Sequence, residues 1–512
     1  MKRFAKFFEL ALAMLMLAAF TLTGCGDNDR NVAASPSTSE TVAPSEKAED
    51  TNVHELDPVT LTAYLIGSPA KDYDEMLAEF NEHAQADLNT TLEVIFVGWG
   101  DYETKFPLLL SSGEPIDLIY TAAWTDFYNL AQKGAYLPIE DLVPKYAPDS
   151  YAKQSKTALE QATVNGHLYA LAATYVDFDQ FGYIVRGDLM DKYGMDTLSS
   201  MDDFGDYLKN VAQNEPDLDP SGSYGSSNVM QTVYLYNKGY YPASGSWTTN
   251  SPYGIKVDTG EVVNVIDLPE ILEYYEKMKE WSDAGCWSKS VLSNKDNNMF
   301  MEGLSASAIH NLDTWTNVYM AHPDQNIRYY PCWDYSYIPS YMSNAMAIPA
   351  ASNNPERALM LLDKIRNDQV YYNLLTYGRE GTDYTITAEN QLQATDADVF
   401  LPEGYCSWGF KDIDFVKPLA GSPPTITDVR KQIASVAVDN PFVSFTPDMD
   451  SVKTEFSAIT NVMMQYEGPL GFGLLNDPAA GLETLRQQLK AAGVDDVLAV
   501  LQAQVDTYLN KK

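Results

Sequence analysis

The sequence predicts an α/β protein of two lobes, each built on a mostly parallel sheet with helices on its faces. Two observations lead to this fold class. Apolar, β-branched runs alternate with amphipathic helical segments, an order typical of parallel sheets. Removal of residues 1–24 as a leader would also leave 488 of the 512 residues. This length exceeds what one hydrophobic core can hold, so we expect two lobes.

The first residues form a leader typical of exported lipoproteins. Three cationic side chains lie within the first six residues, the apolar run Leu10–Phe20 is too short to span a bilayer, and small residues precede Cys25. We expect cleavage after Gly24 and a lipid on Cys25, which would hold the body on the outer face of a membrane. A plain signal peptide is the alternative. No other apolar run approaches the length of a membrane span.

Residues 25–57 are rich in small, polar and acidic residues and poor in large apolar ones. Such a segment cannot bury enough surface to offset its chain entropy, so we predict a disordered tether. The net charge of -37 argues against nucleic acid and anionic lipid headgroups as partners.

Three cysteines follow Cys25 in the sequence, namely Cys286, Cys332 and Cys406. They could form at most one disulfide, and buried free thiols are the favoured interpretation. Neither these cysteines nor the five histidines show the spacing of metal ligands, so we expect no metal and no cofactor. The turn at Asp217–Gly222 resembles the start of a calcium loop but lacks the later bidentate glutamate, which favours a simple turn.

Three strands open the predicted body, at Val59–Ile66, Leu92–Val97 and Ile116–Tyr120. A helix follows the first strand, with Asp72 as its cap and Glu75 completing a partial capping box. The apolar face of this helix is predicted to carry Tyr73, Met76, Leu77, Phe80 and Ala84.

A loop follows each strand, at Gly67–Pro69, Gly98–Asp101 and Thr121–Asp126. Ligands of parallel sheets bind beyond the carboxyl ends of the strands, so these loops form a candidate binding edge. A flat aromatic ring beside a carboxylate suits a pyranose, which has an apolar C–H face and a rim of hydroxyls. The residues of this type are Trp99, Asp101, Trp124 and Asp126.

The order of segments further along the chain resembles a known family. Gly166–Asp196 reads as a turn, a strand, a polar-aromatic break, a second strand and a helix, and Ser305–Pro349 has a similar pattern before a helix capped by Asn354 with Pro355 at its first position. After a lipoprotein leader, this order resembles the family 1 extracellular solute-binding proteins, the receptor subunits of carbohydrate ABC importers. The stretch from Asn440 is similar to the C-terminal region of a Gram-positive subgroup.

This resemblance implies a two-lobed periplasmic-binding-protein-like fold, joined by a hinge of crossover segments. Lobe one would comprise residues 58–174 with 340–420, and lobe two residues 178–338 with 421–512. The chain would cross between the lobes three times.

The resemblance also suggests further ligand contacts. The position of Trp315 is similar to that of the stacking tryptophan in maltodextrin-type receptors. Core packing is the alternative for Trp315, as it is for Trp99 and Trp124. Weaker candidates lie in the expected hinge, in a loop rich in glycine and serine, at the second crossing and near residue 408; for each of them core packing is the alternative. These candidates are Tyr175, Asp177, Trp247, Tyr337 and Trp408.

The function implied is an ABC importer subunit that captures a sugar or oligosaccharide and delivers it to membrane permease subunits, without catalysis. The sequence has no GxSxG, HExxH, Walker or GxGxxG motif. A surface glycoside hydrolase and a non-transport glycan-binding adhesin stay open as alternatives. We expect a monomer, anchored to the cell membrane by acyl chains on its extracellular face, with a Gram-positive surface favoured over a periplasm.

Overall fold

The computed structural model describes residues 56–222, 229–243, 251–294, 299–395 and 405–510. The chain divides into two units, Met1–Asp50 and Thr51–Lys512, and all described residues belong to the second. The predicted leader, Cys25, the tether up to residue 55 and Trp247 lie outside the described residues.

Strands and helices alternate through much of the described chain, as predicted. The helices are α1 (Tyr73–Leu88), α2 (Tyr102–Ser112), α3 (Phe127–Gln132), α4 (Val143–Tyr146), α5 (Pro148–Ala152), α6 (Lys156–Gln161), α7 (Gly187–Tyr193), α8 (Met201–Asn214), α9 (Val229–Asn237), α10 (Ile271–Asp283), α11 (Leu312–Ala321), α12 (Pro355–Asn367), α13 (Gln369–Tyr377), α14 (Ile426–Ser435), α15 (Lys453–Gly471), α16 (Pro478–Ala491) and α17 (Val494–Leu509). The strands are β1 (Val59–Ile66), β2 (Thr90–Val97), β3 (Leu118–Thr121), β4 (Thr163–Val164), β5 (His167–Leu168), β6 (Ala170–Ala172), β7 (Gly182–Val185), β8 (Tyr240–Pro242), β9 (Tyr253–Lys256), β10 (Val262–Asn264), β11 (Ser307–His310), β12 (Arg328–Pro331), β13 (Ser336–Tyr337), β14 (Ala345–Ala347), β15 (Tyr384–Ile386), β16 (Leu392–Ala394) and β17 (Ala437–Val438).

A five-stranded sheet in the order β2-β1-β3-β14-β6 forms the centre of the first lobe. β1 pairs in parallel with β2 and β3, whereas β14 runs antiparallel to β3 and β6. β1 spans the predicted strand Val59–Ile66 residue for residue, and its last four residues are all buried. A strand buried on both faces is typical of a parallel sheet covered by helices.

Helix α1 buries the predicted apolar face but begins without the predicted capping box. Asp72 occupies the cap position and makes no side-chain hydrogen bond to the helix. Its carboxylate instead binds the guanidinium of Arg379, which also contacts Glu75. The two acidic residues are therefore held by a distant arginine, a contact that local sequence patterns do not reveal.

The core of the first lobe draws on two separated parts of the chain. Buried apolar side chains between Leu61 and Ala172 pack with others between Met342 and Phe410. β14 comes from the second part and lies between β3 and β6, so the returning chain completes the sheet as well as the core. The exact limits of the two lobes stay a prediction.

The second lobe contains two three-stranded sheets with antiparallel pairing. β7 lies between β11 and β12 and is antiparallel to both, and β8, β9 and β10 form the other sheet. The α/β fold class is confirmed, but mostly parallel pairing does not hold for these sheets. β11, α11 and β12 form a strand-helix-strand crossover, and β7 is inserted between its two strands, so each direct neighbour is antiparallel.

The C-terminal helices α15–α17 share the core of the second lobe. Their apolar side chains, from Ile459 to Val505, pack in one buried cluster with residues of α8, α10 and β9. The amide side chain of Gln502 accepts a hydrogen bond from Val262 N–H and donates one to the Gly260 carbonyl, at 2.8 and 3.1 Å. This pair of bonds fixes the β9–β10 turn against α17.

Segments 173–181, 332–344 and 411–425 connect the two core regions. The first two are hydrogen-bonded side by side, because Ala173 N–H donates to the Asn344 carbonyl at 2.9 Å. β13, in the second segment, pairs in parallel with β17, which follows α14. These segments lie where the three crossings are expected; the crossings and the hinge stay a prediction.

Two further sequence expectations concern thiols and membrane spans. Cys286, Cys332 and Cys406 are separate, buried free cysteines, as favoured. Within the described ranges, no helix has both the length and the apolar character that crossing a bilayer requires.

Candidate ligand-binding site

Three tryptophans from separate loops meet at the carboxyl edge of the first sheet. Trp99 follows β2, Trp124 follows β3, and Trp408 lies in the helical turn Ser407–Phe410. The Trp99 and Trp124 rings are stacked, with centroids 6.3 Å apart and 21° between their planes. The Trp408 centroid lies 5.8 Å from that of Trp99 at 35°. We call these three residues the tryptophan platform.

The tryptophan platform is open to solvent. Trp99 is 42% exposed and Trp124 is 41% exposed, whereas Trp408 is half-buried. Large aromatic rings are costly to leave in water, and clusters of them at a surface commonly mark binding sites. Flat rings in this arrangement can stack on the apolar face of a ligand.

Two tyrosines support the platform from beneath and beside it. Tyr102 lies edge-on to Trp124, with centroids 5.8 Å apart. The fully buried Tyr120 lies 5.8 Å from Trp124 and 6.4 Å from Trp408. Neither tyrosine was a sequence candidate, although Tyr102 opens the helix after Trp99 and Tyr120 is the next-to-last residue of β3, the strand before Trp124.

The two predicted carboxylates beside the platform differ in environment. Asp101 is exposed and forms an ion pair with Lys105 at 2.9 Å. Asp126 has a left-handed backbone, with φ of 67°, and its carboxylate accepts a hydrogen bond from Asn129 at 3.0 Å. Burial raises the pKa of Asp126, while Asn129 and Lys133 act against the shift. Both carboxylates can accept hydrogen bonds from hydroxyl groups.

A cluster of carboxylates surrounds Arg430 at the hinge. The Arg430 guanidinium binds Asp177 of the first crossing and lies 3.4 Å from Asp313 at the start of α11. Asp179 accepts a hydrogen bond from Leu312 N–H at 2.8 Å. We call Asp177, Asp179, Asp313 and Arg430 the hinge cluster; it joins the first crossing to the second lobe.

Charges in the hinge cluster are unbalanced, with three carboxylates around one guanidinium. Burial, followed by repulsion from Asp313 and Asp177, raises the pKa of Asp179 to about 8. Asp177 and Asp313 already supply two carboxylates to Arg430, so a third negative charge at Asp179 is unfavourable.

The Tyr175 hydroxyl interacts electrostatically with Lys411 and with Asp177 and Arg430 of the hinge cluster. Burial raises the pKa of its hydroxyl to about 12, with Lys411 opposing the shift and Asp177 adding to it. The Lys411 ammonium lies 5.9 Å above the Trp408 ring. The predicted residues Tyr175 and Asp177 are therefore near the platform side of the hinge.

His310 lies at the end of β11 next to the hinge cluster. Its ring stacks on Phe181 at 5.6 Å, and its Nδ1 lies 2.6 Å from the Thr314 hydroxyl. Burial lowers the pKa of His310. Sequence reasoning missed Arg430 because its partners are distant in the chain. For His310, which contacts the distant Phe181 as well as the nearby Thr314, the available signal was its position at a strand end.

A second aromatic group contains Tyr337. Its ring centroid lies 5.3 Å from Tyr335, 5.8 Å from Tyr241 and 5.9 Å from Tyr236. The Tyr335 hydroxyl donates to the Tyr236 carbonyl. We call Tyr236, Tyr241, Tyr335 and Tyr337 the tyrosine cluster; only Tyr337 was a sequence candidate.

The structure places Trp315 in the core. It lies within α11 rather than on a loop, and only 3% of its surface is exposed. Its indole N–H donates to the Ile327 carbonyl at 3.1 Å, and its ring stacks on Tyr329 at 5.3 Å. Asn311 caps α11 and turns Trp315 toward the protein interior, so the ring has no open face for a ligand.

The turn at Asp217–Gly222 is held by hydrogen bonds within the turn itself. The Asp219 carboxylate accepts hydrogen bonds from Ser221 and Gly222 N–H groups, both at 3.0 Å. Across the described ranges, no three acidic, histidine or cysteine side chains converge as a metal site requires.

Comparison with known sequences and structures identifies the protein family to which this architecture belongs. Residues 67–370 match the family described as bacterial extracellular solute-binding protein. The chain belongs to this family. Residues 441–510 of this solute-binding protein also match a domain of unknown function (DUF3502), a range that contains α15–α17.

Relatives of this solute-binding protein come from Streptococcus pneumoniae. A carbohydrate ABC transporter substrate-binding protein of the serotype 4 strain is 26% identical over 535 residues, covering 100% of both chains. The crystal structure of the N-glycan transport solute binding protein NgtS is 24% identical with a TM-score of 0.74, covering 89% of this chain and 100% of that one. The NgtS complex with Man1GlcNAc is 22% identical with a TM-score of 0.72, covering 88% of this chain and 100% of that one. These structures confirm the two-lobed fold class.

Proposed function

We propose that this solute-binding protein is the extracellular substrate-binding subunit of an ABC importer, and that it captures a sugar or oligosaccharide between its two lobes. The observation that carries the proposal is the exposed stack of Trp99 and Trp124 at the carboxyl edge of the first sheet. The names of the Streptococcus pneumoniae relatives, which specify carbohydrate transport and a bound Man1GlcNAc, support the same ligand class.

The chemistry of the platform suits a carbohydrate. The C–H face of a pyranose packs on an indole ring, and hydroxyls at the sugar rim need acceptors close by. Asp101 and Asp126 lie on the same loops as Trp99 and Trp124, so their carboxylates can accept those hydroxyls. Trp408 extends the stacking surface toward the hinge, where Tyr175 and Asp177 offer further polar contacts.

Capture needs no bond to be made or broken. A ligand that contacts the platform on one lobe and residues such as Tyr337 on the hinge side favours the closed arrangement by its greater affinity for that form. Rotation about the three crossing segments would bring the lobes together, and membrane permease subunits would then receive the sugar from the closed receptor.

The expected anchor completes the proposal. A lipid on Cys25 and the tether after it would keep a monomeric receptor at the extracellular face of the cell membrane, beside its permease. Replacing Cys25 by serine should release the protein from the membrane fraction into the medium. Membrane retention of the Cys25→Ser chain would contradict the anchor without affecting the ligand assignment.

A glycan screen tests the ligand class. We expect Man1GlcNAc or another short manno-, gluco- or galacto-oligosaccharide to raise the melting temperature of the purified body and to bind in calorimetry. Peptides of similar size serve as the negative control, and product analysis after incubation checks for hydrolysis. A higher melting temperature with peptides alone would contradict the carbohydrate assignment. Released sugars would indicate a surface hydrolase instead.

A further inference from the structure

The tryptophan platform is hydrogen-bonded to the second crossing segment. The Trp124 indole N–H donates to the Ser343 carbonyl at 2.9 Å. The hydroxyl of Tyr120, whose ring lies against Trp124, donates to the Asn344 side-chain oxygen at 2.7 Å. Two consecutive residues of a crossing segment are thus held by two neighbouring aromatic residues of the binding edge.

The same part of the crossing is fixed on its other sides. The Gln161 side-chain oxygen accepts hydrogen bonds from Tyr341 N–H at 2.7 Å and from the Ser340 hydroxyl at 3.0 Å. The Asn344 carbonyl accepts the N–H of Ala173, the first residue of the first crossing, at 2.9 Å. We call residues 340–344 the clamp segment, because α6, the first crossing and the platform all hold it.

The clamp segment continues directly from the tyrosine cluster. Tyr335 and Tyr337 lie in the same crossing, a few residues before Ser340, and β13 pairs there with β17. One short stretch of chain therefore links the tyrosine cluster to the tryptophan platform. Residues 338–340 are the covalent connection between the two.

We propose that Tyr120 is a positioning residue for ligand capture, whose bond to Asn344 makes the tryptophan platform and the clamp segment move as one body. Tyr120 is completely buried, so it acts on the ligand only through its neighbours, which include Trp124, Trp408 and the crossing. A ligand stacked on Trp124 then favours one arrangement of the crossing segment, which couples stacking to closure. This inference rests on the proposed capture of a carbohydrate at the platform.

Tyr120→Phe is the direct test, because it removes one oxygen and leaves the ring. Tyr136→Phe is the matched control: the Tyr136 hydroxyl lies 3.0 Å from the Thr121 hydroxyl, is buried beside the same strand, and is not bonded to a crossing segment. We expect Tyr120→Phe to weaken binding of the panel oligosaccharides about tenfold, the equivalent of one buried hydrogen bond. Tyr136→Phe should leave the affinity within about twofold while losing comparable stability.

Closure supplies a readout that a purely structural role would not change. Small-angle scattering with and without Man1GlcNAc, or the panel member that binds the unaltered protein, should show a smaller ligand-induced compaction for Tyr120→Phe than for Tyr136→Phe. Asn344→Ala removes the acceptor from the other side, and the double variant Tyr120→Phe/Asn344→Ala should bind no more weakly than Asn344→Ala alone.

The outcomes separate the two proposals. If the unaltered protein binds no oligosaccharide of the panel, the proposed function fails and this inference fails with it. If it binds, but both tyrosine variants lose the same affinity and compaction, or neither loses any, only the positioning role of Tyr120 is overturned. Additive losses in the double variant would also overturn it.

Discussion

Trp99 and Trp124 lie face to face with their ring centroids 6.3 Å apart, although β3 and α2 separate them in the chain. β2 and β3 both run parallel to β1, one on each side of it. The loops after β2 and β3, which carry the two rings, therefore lie at the same edge of the sheet. The stack is therefore a product of the sheet topology, and both side chains stay partly exposed to solvent.

Replacing Trp99 by alanine should reduce ligand affinity with little loss of stability. The ring is 42% exposed, so its removal leaves a shallow gap rather than a core cavity. We expect at least about tenfold weaker oligosaccharide binding and about 1 kcal/mol less free energy of unfolding, measured by calorimetry and urea titration. Leu108→Ala, at an exposed apolar residue of the adjacent helix, is the control and should retain full affinity.

Trp315→Ala should have the opposite effect to Trp99→Ala, because it should lower the stability of the protein rather than remove a ligand contact. The family resemblance implied a stacking role for Trp315, but its ring fills the core and its N–H satisfies the Ile327 carbonyl. Truncation should cost about 3–5 kcal/mol of unfolding free energy, seen in urea titration. Trp315→Phe keeps an aromatic ring against Tyr329 and should lose less. A stable Trp315→Ala protein with weakened sugar binding would restore the original assignment.

The raised pKa of Asp179 predicts a pH dependence of stability. A carboxyl whose pKa is higher in the folded than in the unfolded chain holds its proton better when folded, so its contribution is present below about pH 4 and is lost as the pH rises toward about 8. Asp179→Asn keeps the acceptor for Leu312 N–H without a charge. The variant should gain melting temperature over the unaltered protein at pH 8 and match it near pH 4.

Asp177 makes a useful comparison for that experiment. Its carboxylate is paired with Arg430, so Asp177→Asn removes an attractive contact and should lower the melting temperature at pH 8. Equal effects of Asp177→Asn and Asp179→Asn at pH 8 would contradict the assigned roles of the two carboxylates.

A substitution at Gly260 tests whether the C-terminal helices are packed firmly into the second lobe. It has a φ of +73°, and a Cβ there would lie 2.8 Å from Leu509 of α17. Gly260→Ala should therefore destabilise the protein by both backbone strain, about 1 kcal/mol, and a clash. Gly166 has a φ of +88° with open space around its Cβ position, so Gly166→Ala carries strain alone. Thermal unfolding should show a larger fall in melting temperature for Gly260→Ala than for Gly166→Ala. Equal falls would indicate that α17 moves aside at no cost in stability.

Much of the first lobe could be predicted because its signals are local. The β-branched run of β1 and the helical period of α1 gave their bounds and buried faces, and the rule for parallel strand ends located Trp99 and Trp124. Trp408 was a weaker candidate because its place depends on tertiary contacts. The Cys406 N–H bonds to the Ile66 carbonyl at 2.8 Å, which brings the Trp408 turn to the end of β1.

The remaining features depend on contacts between distant parts of the chain. Arg430 pairs with Asp177, and the Asp72 carboxylate at the cap position of α1 binds Arg379 rather than its own helix. The antiparallel pairing of β7 follows from its insertion into the β11–α11–β12 crossover. Neither hydrophobic periodicity nor local motifs carry information on which partner such residues find.

The division of each core between separated parts of the chain constrains how the protein can fold. Side chains from Met342 to Phe410 complete the first core, and side chains from Phe442 to Val505 complete the second. A chain that has emerged only as far as residue 341 holds two unfinished cores, and neither can close until its later part arrives. The first core can therefore close only once residue 410 is available and the second only once residue 505 is, so a break near the C-terminus would disable the lobe that begins more than half the chain earlier.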